Sequence, residues 1–455
     1  MNQGNKKAVV LTEGNIWKQL LLFSLPILFG NVFQQTYNMV DSVIVGRFVG
    51  DDALAAVGSS SNIIMLLLSA FFGISMGAGV VIAKYYGAKD WEGVSRGVHT
   101  MVAFGLAGGA LFTVLGELLT PYILQWIGTP EEVMVESQIY FRIFFVGTIF
   151  NSMYNIGSGI LRAVGDSKRP LYYLICACVI NVILDLLFVA VFHWGVAGAA
   201  WATVIAQGVK FLLIMRALTK KEEVYCVSWK KLRFHKEELK SIVSIGLPSG
   251  LQNSIVSLSN IVVQSSINSF GALALAGYGA YSKIDGFAMM PASAFAMATT
   301  TFIGQNIGAK NFERVKKGAK TGLFLNMLTA ESIGILLAIV APVLLHIFTD
   351  DPQIIAYGAL QASICGPFYC LCAGSHAMAG MLRGAGKSTL PMAVIILFWC
   401  GLRMSWITFV ARPIHIVDFV FYAYPITWAC SFIVLAIYCL KSGWIKKAEM
   451  AAQES

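Results

Sequence analysis

The chain has 455 residues, 57% of them apolar and only 13% charged, about half the ~25% charge of a typical soluble domain. With 43 glycines spread through apolar text, this composition excludes a soluble globular domain, a disordered chain and a secreted disulfide scaffold, and points to a polytopic helical membrane protein. A formal charge of +9 would suit a nucleic-acid partner only if the basic residues formed a patch, so their placement decides the matter.

The first residues are polar and basic, with Lys6 and Lys7, and the apolar run that follows is too long for a removable leader and lacks a small-residue cleavage site. It is expected to be the first of twelve spans of about 20 or more apolar residues. Six are expected near 16–46, 53–82, 96–120, 134–160, 170–192 and 195–217, and six more near 240–267, 272–304, 318–345, 354–382, 390–411 and 417–440. With the N-terminus placed inside, 28 of the 33 lysines and arginines fall on the cytoplasmic side, the bias that sets membrane orientation. Nine of those 28 are assigned to the linker after span six, from Lys210 to Lys240. Outer loops hold Arg47 and Arg412 but also Asp51, Asp52, Glu131, Glu132, Asp350 and Asp351. Both termini are therefore expected in the cytoplasm, and the positive charge reflects topology, with no nucleic-acid partner.

The chain repeats itself at an offset of about 221 residues. Gly87-Ala88-Lys89, Glu92, Val94, Gly97 and Thr100 recur as Gly308-Ala309-Lys310, Glu313, Val315, Gly318 and Thr321, seven identities in fourteen positions. Leu161-Arg162, Gly165, Ser167 and Pro170 recur as Leu382-Arg383, Gly386, Ser388 and Pro391; Gly50 maps onto Gly271, Pro121 onto Pro342 and, with one residue of slippage, Pro26 onto Pro248. Two halves of six spans that both begin inside are parallel repeats. The expected domains are 1–217, a basic cytoplasmic linker over 218–239, and 240–455.

Two apparent motifs carry no chemistry. Arg383-Gly384-Ala385-Gly386-Lys387-Ser388-Thr389 resembles part of a phosphate loop, but its earlier glycine position is Met381, its twin at 162–170 lacks the Gly-Lys-Ser order, and no strand precedes it. Cys370, Cys372 and His376 share a helix without a matching second set of ligands, so the nine cysteines are expected to be small buried hydrophobes and no metal or cofactor is expected.

An ionisable side chain within the bilayer is expensive and is by default a functional candidate. Such residues are Asp41, Glu117, Arg142, Asp185, Lys283, Asp285, Glu331 and Arg403. Asp41, Asp185 and Thr203 are expected at similar depth in spans one, five and six, and Asn181 shares the face of Asp185 at i, i+4. Two carboxylates, an amide and a hydroxyl at one level would suit a shared proton or a Na⁺ ion, or would simply join helices. At the repeat offset Asp41 meets Val262 or Val263, Asp185 meets Trp406 or Ile407, and Thr203 meets Tyr424. The second half therefore lacks this set. Lys283 and Asp285 map onto Asn62 and Ile64, and their i, i+2 spacing sends them to different helix faces. Gln34, Tyr37 and Asn38 form a polar stripe on span one that would line a cavity or hydrogen-bond to neighbouring helices.

The chain resembles the bacterial multidrug and toxic compound extrusion (MATE) family of cation-coupled exporters over about residues 12–445. Pro26 and Tyr37-Asn38-Met39-Val40-Asp41-Ser42, the Gly-Ala-Lys turns at 87 and 308, the Leu-Arg-x-x-Gly turns at 161 and 382, and Asn181-x-x-x-Asp185 carry the likeness. It implies an all-α membrane fold of twelve transmembrane helices in a V-shaped pair of six-helix bundles. It also implies export of amphipathic, often cationic compounds driven by inward H⁺ or Na⁺. Matched residue by residue, the cation site of one bacterial branch falls on Asp41, Asn181, Asp185 and Thr203. The run Tyr281 to Phe287 resembles members from Gram-positive bacteria, which adds Lys283 and Asp285 to Gln34, Tyr37 and Asn38 as candidate cavity residues. Another branch uses acids in spans seven and ten, where this chain has none. The expectation is a monomeric exporter in the cell membrane and not an enzyme. The alternative is a flippase for a lipid-linked sugar or cell-wall precursor, for which a strongly basic central cavity would be expected.

Overall fold

The computed structural model describes residues 9–49, 69, 71–126, 129 and 131–453. Lys6, Lys7, Gly50, Asp51, Asp52, Asn62, Ile64 and the start of the second expected span lie outside the described residues. Among the described residues there is no strand. The helices are α1 (Ile16–Phe48), α2 (described over 71–87), α3 (Trp91–Trp126), α4 (Glu131–Ala163), α5 (Lys168–Val191) and α6 (Gly195–Leu218). There follow α7 (Lys236–Asn268), α8 (Ala272–Gly308), α9 (Phe312–Leu345), α10 (Pro352–Gly384), α11 (Thr389–Ile414) and α12 (Val417–Lys441). A short amphipathic helix, α13 (Trp444–Gln453), ends the described chain.

Among the described residues, ten of these helices are long and apolar enough to cross a membrane. The 33-residue α7 is not among them because serines and amides replace apolar side chains along it, including Gln252, Asn253, Ser257, Ser259 and Asn260.

The repeat read from the sequence is also a repeat of backbone conformation. Lys89 and Lys310 both take left-handed φ angles, 58° and 55°, as do Gly165 and Gly386 (92° and 82°) and His193 and His415 (55° and 53°). At the first pair the chain closes α2 and α8 in the same way. Asp90 N donates to Tyr85 O (3.0 Å) and Asn311 N to Asn306 O (2.9 Å), the six-to-one bond of a left-handed helix cap. A π-helical turn ends α5 over Leu186–Val191, and another lies at the equivalent place in α11, Ile407–Ala411.

The chain forms two compact units. Unit 1 takes Val9 and Phe29–Gly246, and unit 2 takes Val10–Leu28 and Leu247 onward. The chain changes unit inside α1 two residues beyond Pro26, and inside α7 just before Pro248. A proline inside a helix removes one backbone hydrogen bond and bends the axis, so the repeated prolines stand where each opening helix passes from one unit to the other.

In unit 1 the basic segment 219–235 is packed down rather than hanging free. Tyr225 is fully buried, Val227 N donates to Leu218 O (2.7 Å), and Ser228 N donates to His99 Nε2 (2.9 Å). Arg96 binds Glu238 at 2.6 Å. The first turns of α7 cross α2 backbone to backbone: a Cβ on Gly77 would sit 2.4 Å from Ile242 O, and one on Gly246 would sit 2.6 Å from Ile74 Cα. Only glycine permits that approach. Lys210, assigned above to the cytoplasmic linker, instead lies inside α6. It is 7% exposed, donates to Asn151 Oδ1 (3.0 Å) and rests over the Tyr154 ring.

In unit 2 Arg314 of α9 holds the turn before α1. Its guanidinium donates to the carbonyls of Leu11 (3.1 Å), Gly14 (2.8 Å) and Glu13 (2.7 Å). The buried Asn306 adds a bond to Leu11 O (3.1 Å). Leu11, Leu20 and Phe23 are fully buried.

Candidate cation site and cavity

The buried stripe of α5 within Lys168–Asp185 is Pro170, Leu174, Ala177, Asn181 and Asp185. These steps of three and four residues make one helix face, so the same spacing that buries Leu174 and Ala177 also buries an amide and a carboxyl. The π turn begins immediately after Asp185; such turns release a carbonyl from the regular ladder and recur at functional sites. Across from this face, α6 presents the buried Thr203, and the second half of α1 presents Tyr37 and Asp41.

The structure brings Asp41, Asn181, Asp185 and Thr203 together inside unit 1. Asp185 is 0% exposed and Asn181 1%. With its amide oriented to satisfy both ends, Asn181 donates to Asp185 Oδ2 (2.8 Å) and accepts from Thr203 N (3.2 Å). Tyr37 lies 3.4 Å from the Thr203 hydroxyl. The carboxyl groups of Asp41 and Asp185 are within hydrogen-bonding reach of each other, while the second oxygen of each, Oδ1, is buried without a hydrogen-bond partner. No lysine, arginine or histidine forms an ion pair with either acid among the described residues. Two ionised carboxylates cannot lie side by side under those conditions; a proton or a cation between them removes the repulsion. The oxygen donors Asp41, Asp185, Thr203 and Asn181 suit a hard monovalent cation as well as a proton.

The other expected cavity residues separate. Gln34 and Asn38 bond to each other along α1 (3.3 Å). Lys283 is exposed and sits over the Phe348 ring, whereas Asp285 accepts a hydrogen bond from Tyr369, whose oxygen is also 2.7 Å from that of Tyr281. The two charges of the i, i+2 pair thus face different partners. Glu331 serves the break in α10, where its carboxylate accepts from Cys370 N (2.9 Å).

Sequence reasoning did not anticipate Tyr140, buried on α4 beside Asp41 and Asp185, or Tyr369 as the partner of Asp285. No spacing links either tyrosine to its acid. Nor did it anticipate a cavity of about 330 Å³ in unit 2, lined by Asp285, Met289, Met290, His376, Trp399, Arg403, Tyr424 and Trp428 among others.

Two related helical units, a repeat in sequence and backbone, and a buried acid pair within membrane-length helices define a membrane transporter. A family model, MatE, matches the chain twice, over residues 26–187 and 248–407, so each half supplies one copy. The chain belongs to the MATE family of membrane transporters. It is 31% identical to Probable multidrug resistance protein YoeA of Bacillus subtilis over 449 residues, covering 96% of each chain. It is 32% identical to Probable multidrug resistance protein YpnP of the same organism over 397 residues, 86% of this chain and 88% of that one. Its fold matches a MOP superfamily transporter from Pyrococcus furiosus with a TM-score of 0.90 at 22% identity, covering 100% of both chains. A MATE structure in the bent conformation matches with a TM-score of 0.90 at 22% identity over 98% of this chain and 99% of that one. The all-α membrane fold expected from the sequence is the fold observed.

Proposed function

We propose that the protein is a secondary active multidrug exporter of the cell membrane, expelling amphipathic or cationic organic compounds in exchange for inward H⁺ or Na⁺. Asp41, Asn181, Asp185 and Thr203 form its coupling site. The observation that carries this reading is the contact of the half-buried Asp41 with the buried Asp185, which has no basic partner among the described residues and therefore calls for a proton or cation between the two acids. Binding and release of that charge change the attraction between α1 and α5, which links ion movement to the position of α1. The membrane potential contributes about 2.3 kcal/mol per charge per 100 mV, sufficient to drive export against modest gradients. The excess of basic residues on one side supports cytoplasmic termini, and the protein acts as a monomer. Relatives named for multidrug resistance support the export function.

The test is dye transport in inside-out vesicles with H⁺ and Na⁺ gradients imposed separately. One gradient should drive uptake, and Asp41→Asn should abolish it at unchanged expression. Wild-type transport by Asp41→Asn, or transport indifferent to both gradients, would overturn the coupling site.

A further inference from the structure

The cavity of unit 2 contains a charge that its surroundings leave unsatisfied. Arg403 follows directly after a π-helical turn of α11, Leu397–Leu402, and is only 1% exposed. A guanidinium has five N–H donors and cannot discard its charge. Here one terminal nitrogen donates to Asn260 Oδ1 (3.2 Å) and the other to Thr427 Oγ1 (3.2 Å), while Nε–H has no partner. No carboxylate pairs with it among the described residues. The face of Tyr424 lies 4.4 Å from the guanidinium carbon and that of Trp399 lies 5.8 Å away. These contacts hold the group in place without neutralising it, and a buried cation without an anion is unstable unless one arrives.

The same cavity carries Asp285 on its wall, together with the rings of Trp399, Trp428 and Tyr424 and the thioethers of Met289 and Met290. The rings are fixed: Trp399 Nε1 donates to Ser431 Oγ (2.9 Å), and Ser259 Oγ donates to Trp399 O (2.7 Å), a carbonyl inside the π turn. Asp285 and Arg403 do not pair with each other, so one acid, one base and several aromatic faces converge on a common space. At about 330 Å³ that space is at the lower end of small-molecule sites.

We propose that this cavity binds compact aromatic zwitterions, with the ligand carboxylate on the Arg403 guanidinium, its ammonium towards Asp285 and its ring against Trp399 and Trp428. Planar bidentate recognition of a carboxylate is what an arginine provides and a lysine does not. That such a ligand is exported rests on the function proposed above; that it binds does not.

The experiment is equilibrium binding to the purified full-length protein of three probes: a coumarin-bearing amino acid, its methyl ester, which lacks the negative charge, and its N-acetyl form, which lacks the positive one. The free amino acid should bind saturably, and each derivative about tenfold or more weaker. Arg403→Gln should weaken the free amino acid by a similar factor and leave the ester unchanged. Asp285→Asn should weaken it and leave the N-acetyl form unchanged. Should Arg403→Gln not fold, the comparison of acid and ester on the wild-type protein decides alone. Equal binding of all three probes, or binding of none, overturns the proposal. Loss of efflux in Asp41→Asn and loss of amino-acid binding in Arg403→Gln report on different statements.

Discussion

α5 of unit 1 and α11 of unit 2 are the same helix twice. Each contains a π turn at the equivalent place, yet they carry opposite charges. α5 buries Asp185 against a second acid, whereas α11 buries Arg403, one turn earlier in the repeat frame, against tyrosine and tryptophan rings. Position 406, the counterpart of Asp185, is Trp406, whose indole donates to Phe419 O (2.8 Å). The difference teaches that the repeat keeps the π turn but not the charge: Trp406 replaces Asp185 beside it, and Arg403 instead follows a second π turn, Leu397–Leu402, that α5 does not share. An acid pair calls for a small cation and an unpaired arginine for an anionic group, so under the two proposals above one architecture would serve two kinds of ligand.

The largest test of this comparison sets Asp185→Asn against Trp406→Phe. The first removes the acid pair and should eliminate nearly all gradient-driven efflux. The second loses one hydrogen bond, worth about 1 kcal/mol of stability, and should retain most efflux. Comparable loss in both, measured as dye transport at matched expression, would break the asymmetry.

An intermediate effect is expected at Gly159 and Gly380. An added Cβ would lie 2.8 Å from Ser75 Oγ in the first case and 2.7 Å from Ala296 O in the second, and positions 75 and 296 are themselves repeat equivalents. Gly159→Val and Gly380→Val should each destabilise by about 1–3 kcal/mol or more, read as a lowered melting temperature in detergent. Similar losses sharpen the repeat; a loss in one unit only would show that its packing has diverged.

The smallest effect concerns Lys89 and Lys310, both held at left-handed φ, a conformation that disfavours a side chain by about 1–2 kcal/mol. Lys89→Gly and Lys310→Gly should each raise stability slightly and equally. A decrease at either site would show that its side chain makes a contact stronger than the strain it carries.

Much of this architecture is legible in the sequence because hydropathy and repetition can be read along the chain. Apolar runs of membrane length, the offset of 221 residues and the i, i+4 placement of Asn181 and Asp185 follow from helix geometry and from the cost of backbone groups in lipid. Lys210 shows the limit of that logic. A lysine near a helix end reads as interfacial, yet its stem and ammonium are buried because Asn151 and Tyr154 of another helix receive them. Likewise α7 looks like a span by pattern but is more polar than the others, since its serines serve neighbouring helices, as Ser259 does for Trp399 O.

By itself the sequence determined an all-helical membrane chain made of two repeated halves, with a short roster of charges within apolar helices, since each of these depends on composition and period alone. Only the tertiary structure decided which charges meet. Asp41 and Asp185 are 144 positions apart, Asp285 and Tyr369 84 apart, and Arg403 and Asn260 143 apart. Contacts at such separations are set by how helices cross and rotate, which no one-dimensional pattern records, and the same crossings left Arg403 unpaired in a cavity whose acid, Asp285, is bonded to Tyr369 instead.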